Sequence, residues 1–217
     1  MRRPRMRVGI LGSGQVAQTL GAGFLAHGHD VALGTRDPAK LGDWAAEHPA
    51  AAVVSFADAA AFGEVVVLAV KGAVAADVLS LAGPERLAGK PVLDTTNPLA
   101  DAPPENGVLR YFTTLDDSLM ERLQRDVPDA RFVKCFSSVG NARMVDPDFG
   151  GRRPTMFICG DDAGAKATAG EILDQFGWDV ADMGGVEAAR AIEPLCILWC
   201  IPGLLENEWT HAFALLR

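Results

Sequence analysis

The chain has 217 residues, of which 49% are hydrophobic and 22% charged, a balance typical of globular domains that excludes a disordered protein. A net charge of −8 argues against nucleic acid as a partner, because phosphate binding requires a basic surface. No apolar run reaches the roughly 18 residues of a membrane span, and no signal peptide is recognisable. We therefore expect a cytoplasmic protein without a membrane partner or a metal site.

Strand-like and helix-like segments alternate along the chain. Apolar runs predict strands at 7–12, 30–34, 52–55, 64–70, 91–94, 131–136, 155–159 and 178–180. Helical spacing of apolar residues predicts helices at 16–27, from 37 onward, and at 56–62, 73–81, 118–126, 162–176 and from 186 onward. This order predicts an α/β protein with a Rossmann-like, doubly wound, mostly parallel sheet.

The sequence also predicts a C-terminal helical extension. Gly184 and Gly185 mark the best candidate boundary, which would divide the chain into a dinucleotide-binding domain (1–185) and a helical segment (186–217). The apolar run 194–205 fits a helix that is buried in the domain or forms a homodimer interface.

Three polar side chains in or beside this apolar run need an explanation. Cys196 and Cys200 stand four residues apart and could be small core side chains or a redox pair. Glu193 is the one candidate for a buried carboxylate. It could pair with Arg190, cap another element, or lie near the functional site with a raised pKa.

The segment from Gly12 to Ala17 matches the pattern G-x-G-x-x-G/A of dinucleotide-binding loops. It closes a predicted strand and opens a predicted helix, which is the context the pattern requires. Gly12 permits the tight turn, and Gly14 lets the backbone approach a pyrophosphate. The amides of Gln15 and Val16 at the helix start would then face the phosphates.

The end of the second predicted strand distinguishes NADP from NAD. NAD-binding proteins place an acidic residue there to bind the ribose 2′-hydroxyl. This chain has Thr35 and Arg36 instead, while Asp37 fits the N-cap of the next helix. Arg36 can pair with a 2′-phosphate, Thr35 can donate to it, and Lys40 adds positive charge. We therefore predict that NADP(H) is the cofactor.

Three loops follow strands at the edge of the sheet where ligands bind. Ala69, Val70 and Lys71 should flank the ribose and the nicotinamide. Asn97 could bond the carboxamide, the ribose or the second substrate, or Asn97 and Pro98 could simply end the strand. In the third loop, two serines could donate to a carbonyl of the acceptor or cap a following helix; the predicted substrate contacts there are Ser137, Ser138 and Val139.

Side chains for acid–base catalysis are scarce in the sequence. The single tyrosine, Tyr111, lies in a loop without the Tyr-x-x-x-Lys pattern of proton-relay dehydrogenases. Three of the four histidines fall at helix ends or turns, away from the predicted cleft: His27, His29 and His48. A hydride transfer that depends on positioning fits better, and no catalytic residue is assigned.

Several segments resemble the NADPH-dependent reductases of the deazaflavin coenzyme F420. They are residues 9–17, 34–38, 94–99, 133–139 and 188–195, which together span nearly the whole chain. The resemblance implies a Rossmann-like fold and a deazaflavin ring stacked on the nicotinamide, with no dedicated catalytic acid. It also implies that Ser13, Gln15 and Val16 hold the pyrophosphate and that residues 134–139 line the deazaflavin pocket. Ser137 departs from the family pattern, in which an amide stands at this position.

The leading hypothesis is an oxidoreductase that moves a hydride between NADP(H) and a deazaflavin or flavin-like acceptor. One alternative is reduction of a small imine or carbonyl, which would require a proton donor. Another is an NADPH-binding sensor module without turnover.

Overall fold

The computed structural model describes residues 4–216. Six parallel strands form one sheet in the order β3-β2-β1-β4-β5-β6. The strand order reverses between β1 and β4, and the carboxyl ends of the strands at such a switch point are where ligands bind in doubly wound folds. The six strands are β1 (Arg7–Leu11), β2 (Asp30–Gly34), β3 (Ala52–Val54), β4 (Val65–Leu68), β5 (Pro91–Asp94) and β6 (Arg131–Lys134).

Two further strands, β7 (Thr155–Ile158) and β8 (Asp179–Asp182), pair with each other in parallel. An antiparallel bridge between Lys134 and Cys159 joins them to the edge of the main sheet. The α-helices are α1 (Gln15–Ala26), α2 (Gly42–Glu47), α3 (Phe56–Phe62), α4 (Ala75–Ala82), α5 (Pro84–Leu87), α6 (Leu119–Asp126), α7 (Ala163–Gln175), α8 (Ala189–Ile192) and α9 (Pro194–Glu206). The predicted Rossmann-like, mostly parallel sheet is confirmed.

Helices cover both faces of the sheet. One hydrophobic cluster includes Phe24 of α1 and Trp44 of α2, and the other includes Val78 of α4 and Leu123 of α6. All four residues of β4 are buried, as expected for a central parallel strand that is apolar on both sides. Because helices cover both faces of the sheet, a ligand can reach the strands only at the polar edge formed by their ends.

The structure changes the extent or type of several predicted elements, among them the strand after 131 and the helix after Asp37. The strand predicted for 131–136 ends at Lys134, because Phe136 takes a left-handed φ of 57° that a strand cannot accommodate. The helix predicted after Asp37 begins as a 3₁₀ turn, Pro38–Leu41, and the Asp37 carboxylate accepts a hydrogen bond from the Ala39 amide as an N-cap.

The C-terminal segment is only partly helical, so the prediction of a helix from 186 onward is wrong beyond Glu206. Asn207 ends α9 with a left-handed φ of 57°, a common helix stop. The following tail is extended, and its Phe213 carbonyl accepts a hydrogen bond from the Thr155 amide.

The helical run Val186–Glu206 is long and apolar enough to cross a membrane by length and composition. Its mean hydropathy is 1.5, and one third of its most apolar window is buried inside the protein. The apolar run 194–205 was too short to predict this. The absence of a membrane partner therefore stays a prediction.

Candidate active site

The turn between β1 and α1 has the geometry of a phosphate-binding loop. Gly12 has a left-handed φ of 148°, and a Cβ there would lie 2.2 Å from the Ala69 carbonyl oxygen. At Gly14, by contrast, a Cβ would meet no atom within 4 Å. No side chain caps the start of α1, so its first amides are free to bind an anion. Ser13, Gln15 and Val16 belong to this turn and the start of α1, and their contact with a pyrophosphate stays a prediction.

The tip of β2 presents positive charge to solvent. Arg36 and Lys40 are both exposed, while the Asp37 carboxylate is engaged as the N-cap. The buried Thr35 hydroxyl donates to the Asp37 carbonyl and accepts from the Asp37 amide. In this structure Thr35 therefore shapes the turn, and its contact with a 2′-phosphate stays a prediction that requires the hydroxyl to change partners.

The loops after β1, β4 and β5 meet at the switch point. Ala69 packs against Gly12, and a Cβ at Gly72 would lie 2.2 Å from the Asn97 carbonyl oxygen. The half-buried Asn97 side chain donates from Nδ2 to the Ser137 carbonyl over 2.8 Å, which joins the loop after β6 to the same edge. Val70 and Lys71 lie between these contacts, with Lys71 exposed.

The loop after β6 is less open than the sequence predicts. Phe136, Ser137 and Ser138 are 1%, 3% and 4% exposed, and Val139 and Pro98 are also buried. The Ser137 hydroxyl has no hydrogen-bond partner. Neither serine caps a helix, because the next turn starts at Gly140, so that alternative is wrong. Only Asn97, among the predicted substrate contacts, reaches the surface.

A fully buried ion cluster lies beneath this edge. The Lys134 ammonium is 2.6 Å from an Asp94 carboxylate oxygen and 3.0 Å from a Glu193 carboxylate oxygen. It also donates to the Thr96 carbonyl, and Asp94 accepts from the Thr96 amide and hydroxyl. Burial alone would lower the pKa of Lys134, but the two carboxylates together hold it above its usual value. Lys134 therefore does not line an open pocket, contrary to the expectation from the resemblance.

Glu193 supports the start of α6 as well. Its carboxylate accepts hydrogen bonds from the Leu119 and Met120 amides, each over 3.0 Å. These amides belong to the positive end of the helix and help to stabilise the buried negative charge. Of the three roles considered, capping of another element is therefore confirmed. The proposed pairing with Arg190 is wrong, because Arg190 binds Glu121 instead.

Tyr111 lies beside the site, a position that the sequence did not indicate. Its hydroxyl donates to the Glu193 carbonyl oxygen over 2.5 Å and lies 3.5 Å from Asn97 Oδ1. Burial, with a smaller effect of the neighbouring Cys196, raises the pKa of Tyr111 far above its usual value. The phenol is thus a poor acid whose proton is already shared with the backbone.

A cavity of about 210 Å³ adjoins this tyrosine. It is lined by Tyr111, Thr113, Thr114, Leu115, Arg190, Glu193, Pro194 and Ile197. A larger depression, about 640 Å³, lies between Arg5 and Gln175 at the opposite edge of the sheet, near the starts of β1 and β2. The smaller cavity adjoins the edge of the sheet formed by the carboxyl ends of the strands, which we call the ligand edge.

The fold and the loop geometry define a dinucleotide-binding α/β protein. A family model described as "NADP oxidoreductase coenzyme F420-dependent" matches residues 7–98. A solved structure from Arthrobacter sp. FB24, assigned as an F420-dependent NADP-reductase, is 35% identical with a TM-score of 0.91, over 98% of this chain and 100% of that chain. The chain belongs to this F420-dependent NADP oxidoreductase family, and it is an NADP-dependent oxidoreductase.

Two other proteins are similar to this chain. The metalloreductase STEAP3 of Rattus norvegicus is 34% identical over 205 residues, or 92% of this chain, and the chain spans 39% of the rat protein's length. A reductive aminase from Aspergillus terreus, in complex with NADPH and ethyl-5-oxohexanoate, is 18% identical with a TM-score of 0.68. The match covers 94% of this chain and 64% of the aminase, and it shows a shared fold alone.

Proposed function

We propose that this enzyme transfers a hydride between C4 of NADP(H) and C5 of a deazaflavin, coenzyme F420, or N5 of a flavin. The observation that carries this proposal is that two acid–base groups at the ligand edge, Lys134 and Tyr111, are already bonded inside the protein. Lys134 is held by Asp94 and Glu193, and the Tyr111 phenol by a carbonyl. A ring that accepts the hydride from NADPH and takes one proton from water needs no other donor.

In this proposal the cofactor lies across the switch point. The α1 amides behind Gly12, Ser13 and Gly14 bind the pyrophosphate, and Arg36 with Lys40 binds the 2′-phosphate. Ala69, Val70 and Lys71 flank the ribose, and Asn97 bonds the nicotinamide side of the ligand pair. NADP(H) supplies the hydride; the protein orients the two rings and excludes water.

The experiment is an acceptor panel with the purified protein. NADPH oxidation is followed with coenzyme F420, with flavin mononucleotide and without acceptor. We expect fast turnover with the deazaflavin and slower or no turnover with the flavin. Tight NADPH binding without turnover on either ring would contradict the proposal.

The runner-up is reduction of a small imine or carbonyl. The cavity beside Tyr111 supports it, since the cavity volume suits a small substrate and the Tyr111 side chain, which carries a hydroxyl, lines it. This reaction would require Tyr111 to release the Glu193 carbonyl. Loss of turnover in Tyr111→Phe, together with a strong pH dependence, would favour it over the deazaflavin.

We also infer a cytoplasmic homodimer without nucleic-acid or membrane partners. The free cysteines support a cytoplasmic location, and the net charge of −8 argues against nucleic acid as a partner. The exposed apolar residues of α9 support the homodimer.

A further inference from the structure

Two thiols stand one helical turn apart on α9, next to the candidate site. Cys196 is 8% exposed, whereas Cys200 is partly open to solvent. Residues at i and i+4 share a helix face, so the two thiol groups are neighbours on α9. The Cys196 thiol neighbours the Tyr111 hydroxyl, which lies 3.5 Å from Asn97 Oδ1. The pair therefore extends from the solvent-accessible Cys200 to Tyr111 at the ligand edge.

The four cysteines differ in their suitability for oxidation. A hydrogen bond from Cys196 lowers the pKa of Cys200, and the same contact, together with burial, raises the pKa of Cys196. Burial raises the pKa of Cys135, and it raises that of Cys159 to about 12. A partly exposed thiol of lowered pKa beside a second thiol is the arrangement found at redox-sensing cysteines.

We propose that Cys200 and Cys196 form a peroxide-sensitive dithiol, with Cys200 as the reactive thiol and Cys196 as the resolving thiol. The Cys200 sulfur attacks the O–O bond of a hydroperoxide, which forms a sulfenic acid and releases an alcohol, or water from hydrogen peroxide. The Cys196 sulfur then attacks the Cys200 sulfur, so that an S–S bond forms and the S–O bond breaks with loss of water. The dithiol gives up two electrons and two protons, and the peroxide takes up both.

The helix must tighten for the second step. Side chains at i and i+4 have Cβ atoms about 5–6 Å apart, whereas a disulfide requires about 3.5–4.5 Å. α9 is poorly fixed against such a change, because Pro202 cannot donate to the Leu198 carbonyl and no side chain caps its start. A strained disulfide is also easily reduced, which makes the modification reversible.

Oxidation should reach the ligand edge through Tyr111. The disulfide withdraws the Cys196 thiol from the phenol, whose other contacts are the Glu193 carbonyl and Asn97. The Tyr111 loop then loses one of its attachments beside Asn97. We expect the oxidised enzyme to turn over more slowly and to recover with dithiothreitol.

The test treats the full chain with hydrogen peroxide under native conditions, then alkylates free thiols and maps peptides by mass spectrometry. We expect a Cys196–Cys200 disulfide that dithiothreitol reverses, while Cys135 and Cys159 remain alkylatable after unfolding and serve as internal controls. Cys196→Ser should give a sulfenic acid at Cys200 that dimedone traps. Cys200→Ser should resist peroxide and keep the turnover of the reduced enzyme.

Three results would overturn the proposal: all four thiols surviving peroxide, Cys135 or Cys159 oxidising as fast as Cys200, or a disulfide that leaves turnover unchanged. The thiol readout does not depend on the identity of the hydride acceptor. Failure of the acceptor assay is therefore distinguishable from failure of this inference.

Discussion

Arg36 is the residue on which cofactor choice depends. It is exposed at the end of β2, where the one nearby acid, Asp37, is occupied by the Ala39 amide. A hydrogen bond to a charged partner contributes about 1.5–3 kcal/mol, and about 1.4 kcal/mol is a factor of ten in affinity. We expect Arg36→Ala to weaken NADPH binding roughly 10–100-fold while NADH binding is unchanged, as measured by calorimetric titration.

Arg86→Ala is the matched control. Arg86 pairs with Glu85 on α5, which precedes β5 and so lies where the strands begin, away from the ligand edge. This variant should bind both nucleotides as the wild type does. Equal losses for NADPH and NADH in Arg36→Ala, or no loss, would contradict the assignment of the 2′-phosphate site.

Removal of the Lys134 ammonium should strongly destabilise the fold. Lys134→Met removes the cation and leaves the Asp94 and Glu193 carboxylates buried together. Breaking a buried pair in this way costs about 3–5 kcal/mol of unfolding free energy, measurable by urea denaturation. Lys166→Met, which removes a cation from a partly exposed pair with Asp182, should cost about 0–1 kcal/mol. Similar losses of unfolding free energy in the two variants would contradict the view that the buried Lys134 cluster matters more to stability than the partly exposed Lys166 pair.

Local sequence signals predicted some site residues and could not predict others. The roles of Gly12, Gly14 and Asp37 follow from neighbouring residues, so the strand–turn–helix pattern was sufficient. Tyr111 bonds a carbonyl 82 residues away, and no local pattern carries that contact. The partners of Lys134 are likewise fixed only when β5, β6 and the start of α9 are brought together.

At the scale of elements, one ion pair ties α8 to α6. Arg190 binds the Glu121 carboxylate over 2.5 Å, and Glu121 also completes a capping box with Ser118. Hydrogen bonds from Arg190, with smaller ones from Ser118, lower the pKa of Glu121 from 4.5 to about 2. A lowered pKa stabilises the fold above the ordinary pKa, and this stabilisation is lost as the pH falls from 4.5 toward 2.

Glu121→Gln should therefore flatten the pH dependence of the melting temperature in that window and lower the melting temperature at neutral pH. Thermal unfolding followed by circular dichroism across the window measures both. Glu85→Gln, which removes an exposed carboxylate paired with Arg86, should keep the wild-type profile. A Glu121→Gln profile parallel to the wild type would contradict this role of the pair.

Elements were predictable where their own residues determine them. β4 is an uninterrupted apolar run, and Asp37 with Pro38 marks a helix start. The tail after Asn207 was missed because its conformation depends on contacts with other elements. The Thr155 amide binds its Phe213 carbonyl, and Trp199 stacks on His211.

For the whole molecule, the outer face of α9 predicts a homodimer. Leu198 and Leu205 are seven residues apart on that face and are 54% and 59% exposed. An apolar helix face of this kind is stabilised when a second copy covers it. Sedimentation should give twice the 22.9 kDa chain mass for the wild type and the single mass for Leu198→Glu combined with Leu205→Glu.

Leu81→Glu is the control, since Leu81 is 52% exposed on α4, outside that face. This variant should remain a dimer. A wild type that sediments at 22.9 kDa would contradict the prediction. Truncation after Gly185 is less suitable as a test, because it removes Glu193 and leaves the Lys134 cluster incomplete.

Direct hydride transfer is the central claim, and one isotope experiment tests it. NADPH carrying deuterium at both C4 positions is oxidised with coenzyme F420 in ordinary water, and the reduced deazaflavin is analysed by NMR. If the two rings stack at the edge formed by Gly14, Lys71 and Asn97, deuterium will be found at C5 of the product. A reduced deazaflavin with only solvent hydrogen at C5, or no reduction while NADPH stays bound, would contradict the account.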